Sequence, residues 1–96
     1  MAEKSGTAWN TYLVEHYGPG SSAETLRRNA RDVRRATTEL TRLGQSVRYV
    51  RSTIVPGDEG FMATFEAGSE APVRDAYERA GVSIERISQA IQLDGR

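Results

Sequence analysis

A glutamate and the chain's single histidine stand side by side at the close of an apolar run, Tyr12-Leu-Val-Glu15-His16-Tyr17. Carboxylate and imidazole are the side chains most used for proton transfer, and both ligate divalent metals. Glu15 and His16 are therefore candidate metal ligands, or one of them a candidate general base. In an extended chain, neighbouring side chains point to opposite faces. The two can grip one ion only if the chain bends at Gly18-Pro-Gly20 or if a second copy supplies the missing ligands. The plainer reading of His16 is a strand-end histidine hydrogen-bonded to a nearby loop.

Glu15 is the more informative of the two. An acid inside an apolar strand is costly to desolvate unless it is paired, and Arg86 or Arg51 is its expected partner. Without a partner, a raised pKa would suit it to act as a base or a cation ligand. Glu66 falls at the far end of another strand, near Thr11, so no carboxylate pair is expected. The string Arg27-Arg-Asn-Ala-Arg-Asp-Val-Arg-Arg35 is the densest basic cluster. Glu24, Asp32 and Glu39 interleave with it, which reads as a solvated helix face with local ion pairs. Gly60-Phe-Met-Ala-Thr-Phe65 echoes the aromatic strand of RNA-recognition motifs, but Glu59 stands where a basic residue is expected and Ala63 where a second stacking ring is. No P-loop, Rossmann glycine fingerprint, HExxH or nucleophile elbow occurs.

Composition narrows the choice further. Thirteen lysines and arginines balance 13 aspartates and glutamates, so no global field draws in nucleic acid or an anionic membrane, and any electrostatic argument is local. The absence of cysteine removes disulfides, thiolate metal sites and a cysteine nucleophile, and fits a cytoplasmic protein. No segment approaches the roughly 18 apolar residues of a membrane span, so a soluble protein is expected. Ninety-six residues suit one core and one domain. Its expected extent is 9–93, with tails at 1–8 and 94–96.

The elements that must position these residues follow from pattern and punctuation. Trp9 to Tyr17 reads as a strand stopped by Gly18-Pro-Gly20. Ser21-Ser-Ala-Glu24 reads as a capping box opening a long helix, with Leu26, Ala30, Val33, Leu40 and Leu43 on one stripe and Gly44 as its left-handed stop. Val47–Val55 and Phe61–Ala67 form two strands, joined by the turn Pro56-Gly-Asp-Glu-Gly60 into an antiparallel hairpin. Ser69 is placed to cap a second helix bearing Val73, Ala76, Tyr77 and Ala80, ended by Gly81. Ile87, Gln89, Ile91 and Leu93 then alternate along a fourth strand.

The order β-α-β-β-α-β is the split-βαβ, ferredoxin-like α+β arrangement. Right-handed crossovers give an antiparallel four-stranded sheet in the order 4-1-3-2, with both helices on one face. Alternation assigns Tyr12, Val14, Val50, Ile54, Phe61, Phe65, Ile87 and Ile91 to the helix side. It leaves Leu13, Glu15, Tyr49, Arg51, Thr53, Met62, Thr64 and Glu66 on the open side. An open face bearing Leu13, Tyr49 and Met62 predicts a homodimer built through it, with no nucleic-acid or membrane partner and an undetermined small-molecule ligand.

The segments Tyr12-Leu-Val-Glu-His16, Ser52-Thr-Ile-Val55, Phe65-Glu-Ala67 and Pro72-Val-Arg-Asp-Ala-Tyr-Glu-Arg-Ala-Gly-Val82 together resemble a family of small ferredoxin-like proteins. That family, a domain of unknown function, includes nickel-binding members from actinobacteria, and the likeness spans about residues 11–93. It implies a cytoplasmic homodimer of the dimeric α+β barrel type that binds nickel or another divalent metal. Two features depart from the pattern. Tyr77 stands where the family carries a helix histidine, and the family's cysteines are missing. Nickel favours imidazole or thiolate, so His16 remains as the strong donor. A reading from another class is a small α+β-barrel enzyme, of cyclase, isomerase or monooxygenase type, using Glu15 or His16 as base.

Overall fold

A computed structural model describes residues 9–55, 57, 59–93 and 95 of the chain. Six elements run in the expected order: β1 (Asn10–Tyr17), α1 (Ala23–Arg42), β2 (Val47–Ile54), β3 (Gly60–Ala67), α2 (Ala71–Ala80) and β4 (Arg86–Ala90). The strands form one antiparallel sheet in the order β2-β3-β1-β4, which is 4-1-3-2 read from the other edge. This is the ferredoxin-like α+β fold. The expected tail at 1–8, and Asp94 and Arg96 of the other, lie outside the described residues.

Alternation along β1 settles the two faces. Tyr12 and Val14 are buried with Phe61, Ala63 and Phe65 of β3, against Leu26, Ala30, Val33 and Leu40 of α1 and Val73, Ala76 and Tyr77 of α2. Each large apolar side chain in this layer contributes on the order of 1.5–3 kcal/mol by leaving water. The opposite parity stands clear of the helices: Leu13 lies between Thr64 and Ser88, and Glu15 between Met62 and Arg86.

Strand β2 departs from simple alternation. Its register against β3 shifts between Tyr49 and Arg51, so that Tyr49 pairs with Phe65 and Arg51 with Thr64 while Val50 is the extra residue. A bulge of this kind reverses parity beyond it. Tyr49 therefore packs toward the helices, its ring edge-on to Phe65 at 5.3 Å. The expected assignment of Val50 to the core and Tyr49 to the open face is corrected accordingly. Ile54 is in step again, paired with Phe61.

The helix ends show similar one-residue adjustments. The cap of α1 is Ser22, whose Oγ accepts from Thr25 N at 3.1 Å. Ser21 is drawn into the preceding turn, its N–H donating to Gly18 O at 2.9 Å. Gly44 takes the left-handed conformation after α1, with φ 91°, as the sequence predicts. Leu43, expected on the buried stripe, is instead exposed, because the helix ends at Arg42. Glu70, not Ser69, precedes α2 and makes no side-chain cap, the start being fixed by Pro72 in the first turn. Strand β4 stops at Ala90, so Ile91 and Leu93, expected to continue it, are exposed.

A candidate metal and ligand cleft at the end of the sheet

The C-terminal end of β1 meets the start of β3 and the segment before β4 around a cleft of about 350 Å³, to which Glu15, His16, Tyr17, Glu59, Met62 and Glu85 contribute. Three backbone features hold it. Gly18 N donates to Glu59 O at 2.6 Å, closing the turn after β1 onto the β2–β3 loop. Glu85 N donates to Glu15 O at 2.7 Å and brings the second carboxylate to the rim. Gly60 lies so close to β1 that a Cβ on it would stand 2.2 Å from His16 O. Only glycine allows that approach.

His16 faces the helix side, paired with Phe61 across the strands, and is 8% exposed. Its Nδ1 lies 2.7 Å from Ser83 O. A carbonyl oxygen can only accept, so Nδ1 carries a proton and, in the neutral ring, Nε2 carries the lone pair. The ring is held further by Phe61, at 5.0 Å between centroids. The plainer sequence reading, a strand-end histidine bonded to a loop, is what the fold shows. Nothing in the sequence singled out Ser83 as the acceptor, because its carbonyl belongs to backbone that only the fold carries to His16.

Glu15 points the other way, as adjacent strand residues must, and Arg86 is its partner: Nε to Oε2 is 2.9 Å. Cross-strand register places Arg86 directly opposite, whereas Arg51 lies one strand further away on β2, opposite Thr64 of β3. The third carboxylate, Glu59, is occupied by the turn. It accepts from Gly20 N at 3.0 Å and from the Tyr17 hydroxyl at 3.4 Å. The sequence offered a weak signal for Glu59, since it lies in a turn next to Gly60, and none for Glu85.

Among the described residues, no group of three or more histidine, cysteine, aspartate or glutamate side chains is gathered at metal-binding distance. The described residues of the chain thus offer a single oriented imidazole and not a closed coordination shell. Tyr77, where the resemblance implies a helix histidine, does not line the cleft. It lies in the core, its ring 5.8 Å from Phe65, with its hydroxyl buried and without a hydrogen-bond partner. Burial, and behind it the nearby Tyr49 phenol, pushes the Tyr77 hydroxyl far above the ordinary range for tyrosine. The aromatic echo of an RNA-recognition motif also fails on geometry. Phe61 and Phe65 are turned into the core at 3% and 0% exposure and have no open ring face on which a base could stack.

Sheet order, helix placement and cleft define a small ferredoxin-like α+β protein with one oriented histidine at the end of its first strand. Residues 12–89 match the model of a family described as nickel responsive protein SCO4226-like, and the chain belongs to that family. A solved structure, the crystal structure of SCO4226 from Streptomyces coelicolor A3(2), superposes with a TM-score of 0.66 at 18% identity, over 88% of this chain and 99% of that one. At that identity the likeness concerns the fold. No curated protein matches the chain.

Proposed function

We propose that this protein is a cytoplasmic, homodimeric binding protein of the nickel-responsive family that takes up a divalent metal, nickel foremost, through His16. The observation that carries the reading is the bond from His16 Nδ1 to Ser83 O. Metal-ligating histidines commonly donate their second ring nitrogen to a carbonyl in this way, which fixes both tautomer and ring direction. Bound metal would supply a Lewis-acid centre. The chain's own contribution would be to hold the ring with Nε2 unprotonated near Gly18, with Glu15 and Glu85 lining the same cleft as His16.

The open face of the sheet supports pairing with a second copy. Leu13 and Met62 lie on it uncovered by either helix, Met62 at 40% exposure. Four of its charges pair within the chain, Glu15 with Arg86 and Arg48 with Glu66, so covering these strands fewer isolated ions. A second copy over this face would bring another rim of carboxylates near the cleft and complete a coordination shell that one chain lacks. Glu15 stands on that face, not in a cavity between sheet and helices, so no catalytic role is assigned to it. Among the described residues no helix is long and apolar enough to cross a membrane.

Isothermal calorimetry with nickel tests the reading. The parent should bind, and His16→Ala should lose binding while keeping its circular dichroism spectrum. Equal nickel binding by parent and His16→Ala would refute it.

A further inference from the structure

Gly18, in the turn that follows β1, has no conformational reason to be glycine. The left-handed glycines among the described residues are Gly20, Gly44, Gly57 and Gly81, so the backbone at Gly18 lies where ordinary side chains are allowed. Space is what it supplies. A Cβ on Gly18 would stand 2.7 Å from Ser21 Oγ and 3.3 Å from His16 Nε2, the first closer than a carbon can come and the second a tight contact. The missing methyl leaves a notch one small atom wide, with a hydroxyl on one side and the unprotonated ring nitrogen on the other.

Both walls of the notch are fixed. Ser21 N donates to Gly18 O at 2.9 Å and closes the turn, which is clipped to the β2–β3 loop by Gly18 N donating to Glu59 O at 2.6 Å and Gly20 N to Glu59 Oε2 at 3.0 Å. The imidazole is held from its other nitrogen by Ser83 O at 2.7 Å. Ser22 carries the cap of α1, so the Ser21 hydroxyl is not required there. The carboxylates of the cleft are engaged elsewhere in two of three cases, Glu15 by Arg86 and Glu59 by the turn. The geometry points to Gly18 as the port to His16: Nε2 takes a divalent cation through the notch that the missing Cβ leaves, and Ser21 Oγ is the second donor from the same chain. This inference rests on the metal reading above and adds to it the place of entry and a neutral oxygen ligand. A mixed nitrogen and oxygen donor set is one that nickel accepts. The positive end of α1 lies close by and opposes a cation, but Glu24 in its first turn and the Glu59 carboxylate on Gly20 N offset it.

Two measurements on the full chain test it. His16 is the only histidine, so its carbethoxylation by diethylpyrocarbonate, followed by ultraviolet absorbance, reports access to the ring at one site and needs no metal. Gly18→Ala should slow that reaction severalfold, and should weaken binding of nickel chloride, read by calorimetry, on the order of 10–100-fold, the range for losing a supporting group at a metal site. Ser21→Ala should leave the carbethoxylation rate as fast as the parent's and still weaken nickel binding, a split that a merely structural role would not produce. Gly68→Ala, whose Cβ would make only an ordinary contact 3.5 Å from Ser46 Cβ, should change neither. Circular dichroism of each variant should match the parent, and Ser21→Ala, which adds no atom, decides the donor by itself. Equal carbethoxylation rates in the parent and Gly18→Ala would overturn the port. Unchanged nickel affinity in Gly18→Ala and Ser21→Ala, with binding still lost in His16→Ala, would overturn this inference and leave the metal reading standing. No uptake of nickel by the parent would remove that reading and this inference with it.

Discussion

Tyr77 shows most clearly what a single side chain does here. Its ring fills the core beside Phe65, but its hydroxyl is enclosed without a partner, and an unpaired buried donor carries a desolvation penalty of about 1–3 kcal/mol. Tyr77→Phe keeps the packing and removes the penalty, so it should leave the chemical-denaturation midpoint unchanged or raise it; a loss above about 1 kcal/mol would mean that the hydroxyl is bonded after all. The same burial gives a pH dependence. Below about pH 10 the phenol is neutral in folded and unfolded chains alike. Above it, only the unfolded chain releases the proton, so stability falls as pH rises. In a spectrophotometric titration one tyrosine should therefore ionise only when the chain unfolds. Glu15 is the contrasting case. Its bond to Arg86 lies at a largely exposed pair, 70% and 36% for the two side chains, so Arg86→Ala should shift stability by less than about 1 kcal/mol.

At the scale of elements, the pattern of the sequence carried the six segments, their order and the cross-strand partners of Glu15. Strong punctuation at Gly18-Pro-Gly20, Gly44 and Gly81 left little freedom there. The errors fall where two neighbouring residues were chemically equivalent or where local pattern is blind. Ser21 and Ser22 both can cap, and the turn bond from Ser21 N to Gly18 O decides between them. Ser22→Ala should thus cost about 1 kcal/mol, with Ser21→Ala near neutral by the same denaturation assay. The bulge at Val50 has no local signature, since Tyr49, Val50 and Arg51 all suit a strand, and only pairing with Phe65 and Thr64 fixes the slip. Ile91 and Leu93 continue the alternation of β4, but Thr11–Ala90 is the last pair with β1. The cleft was half legible for a related reason. Glu15 and His16 declare themselves by type, whereas Ser83, Glu59 and Glu85 arrive there through tertiary backbone contacts. Gly60→Ala tests that closeness: the backbone must shift to relieve a 2.2 Å contact, which should lower the melting temperature and disturb His16 together.

For the whole molecule, the two faces of the sheet divide the work. One is filled by α1 and α2 around Phe65 and Val14. The other presents Leu13 and Met62 among paired charges, and the cleft opens at its end. On the proposed reading, a coordination shell incomplete in one chain, at the edge of a face suited to self-pairing, would tie metal uptake to assembly. Met62→Glu, which places an unmatched charge on that face beside Glu15, should therefore weaken both together. Native mass spectrometry of the full chain with and without nickel reads subunit count and metal load together. A dimer is expected in both conditions, with nickel bound to the dimer and none on His16→Ala. A monomer with no added mass in the presence of nickel would contradict this.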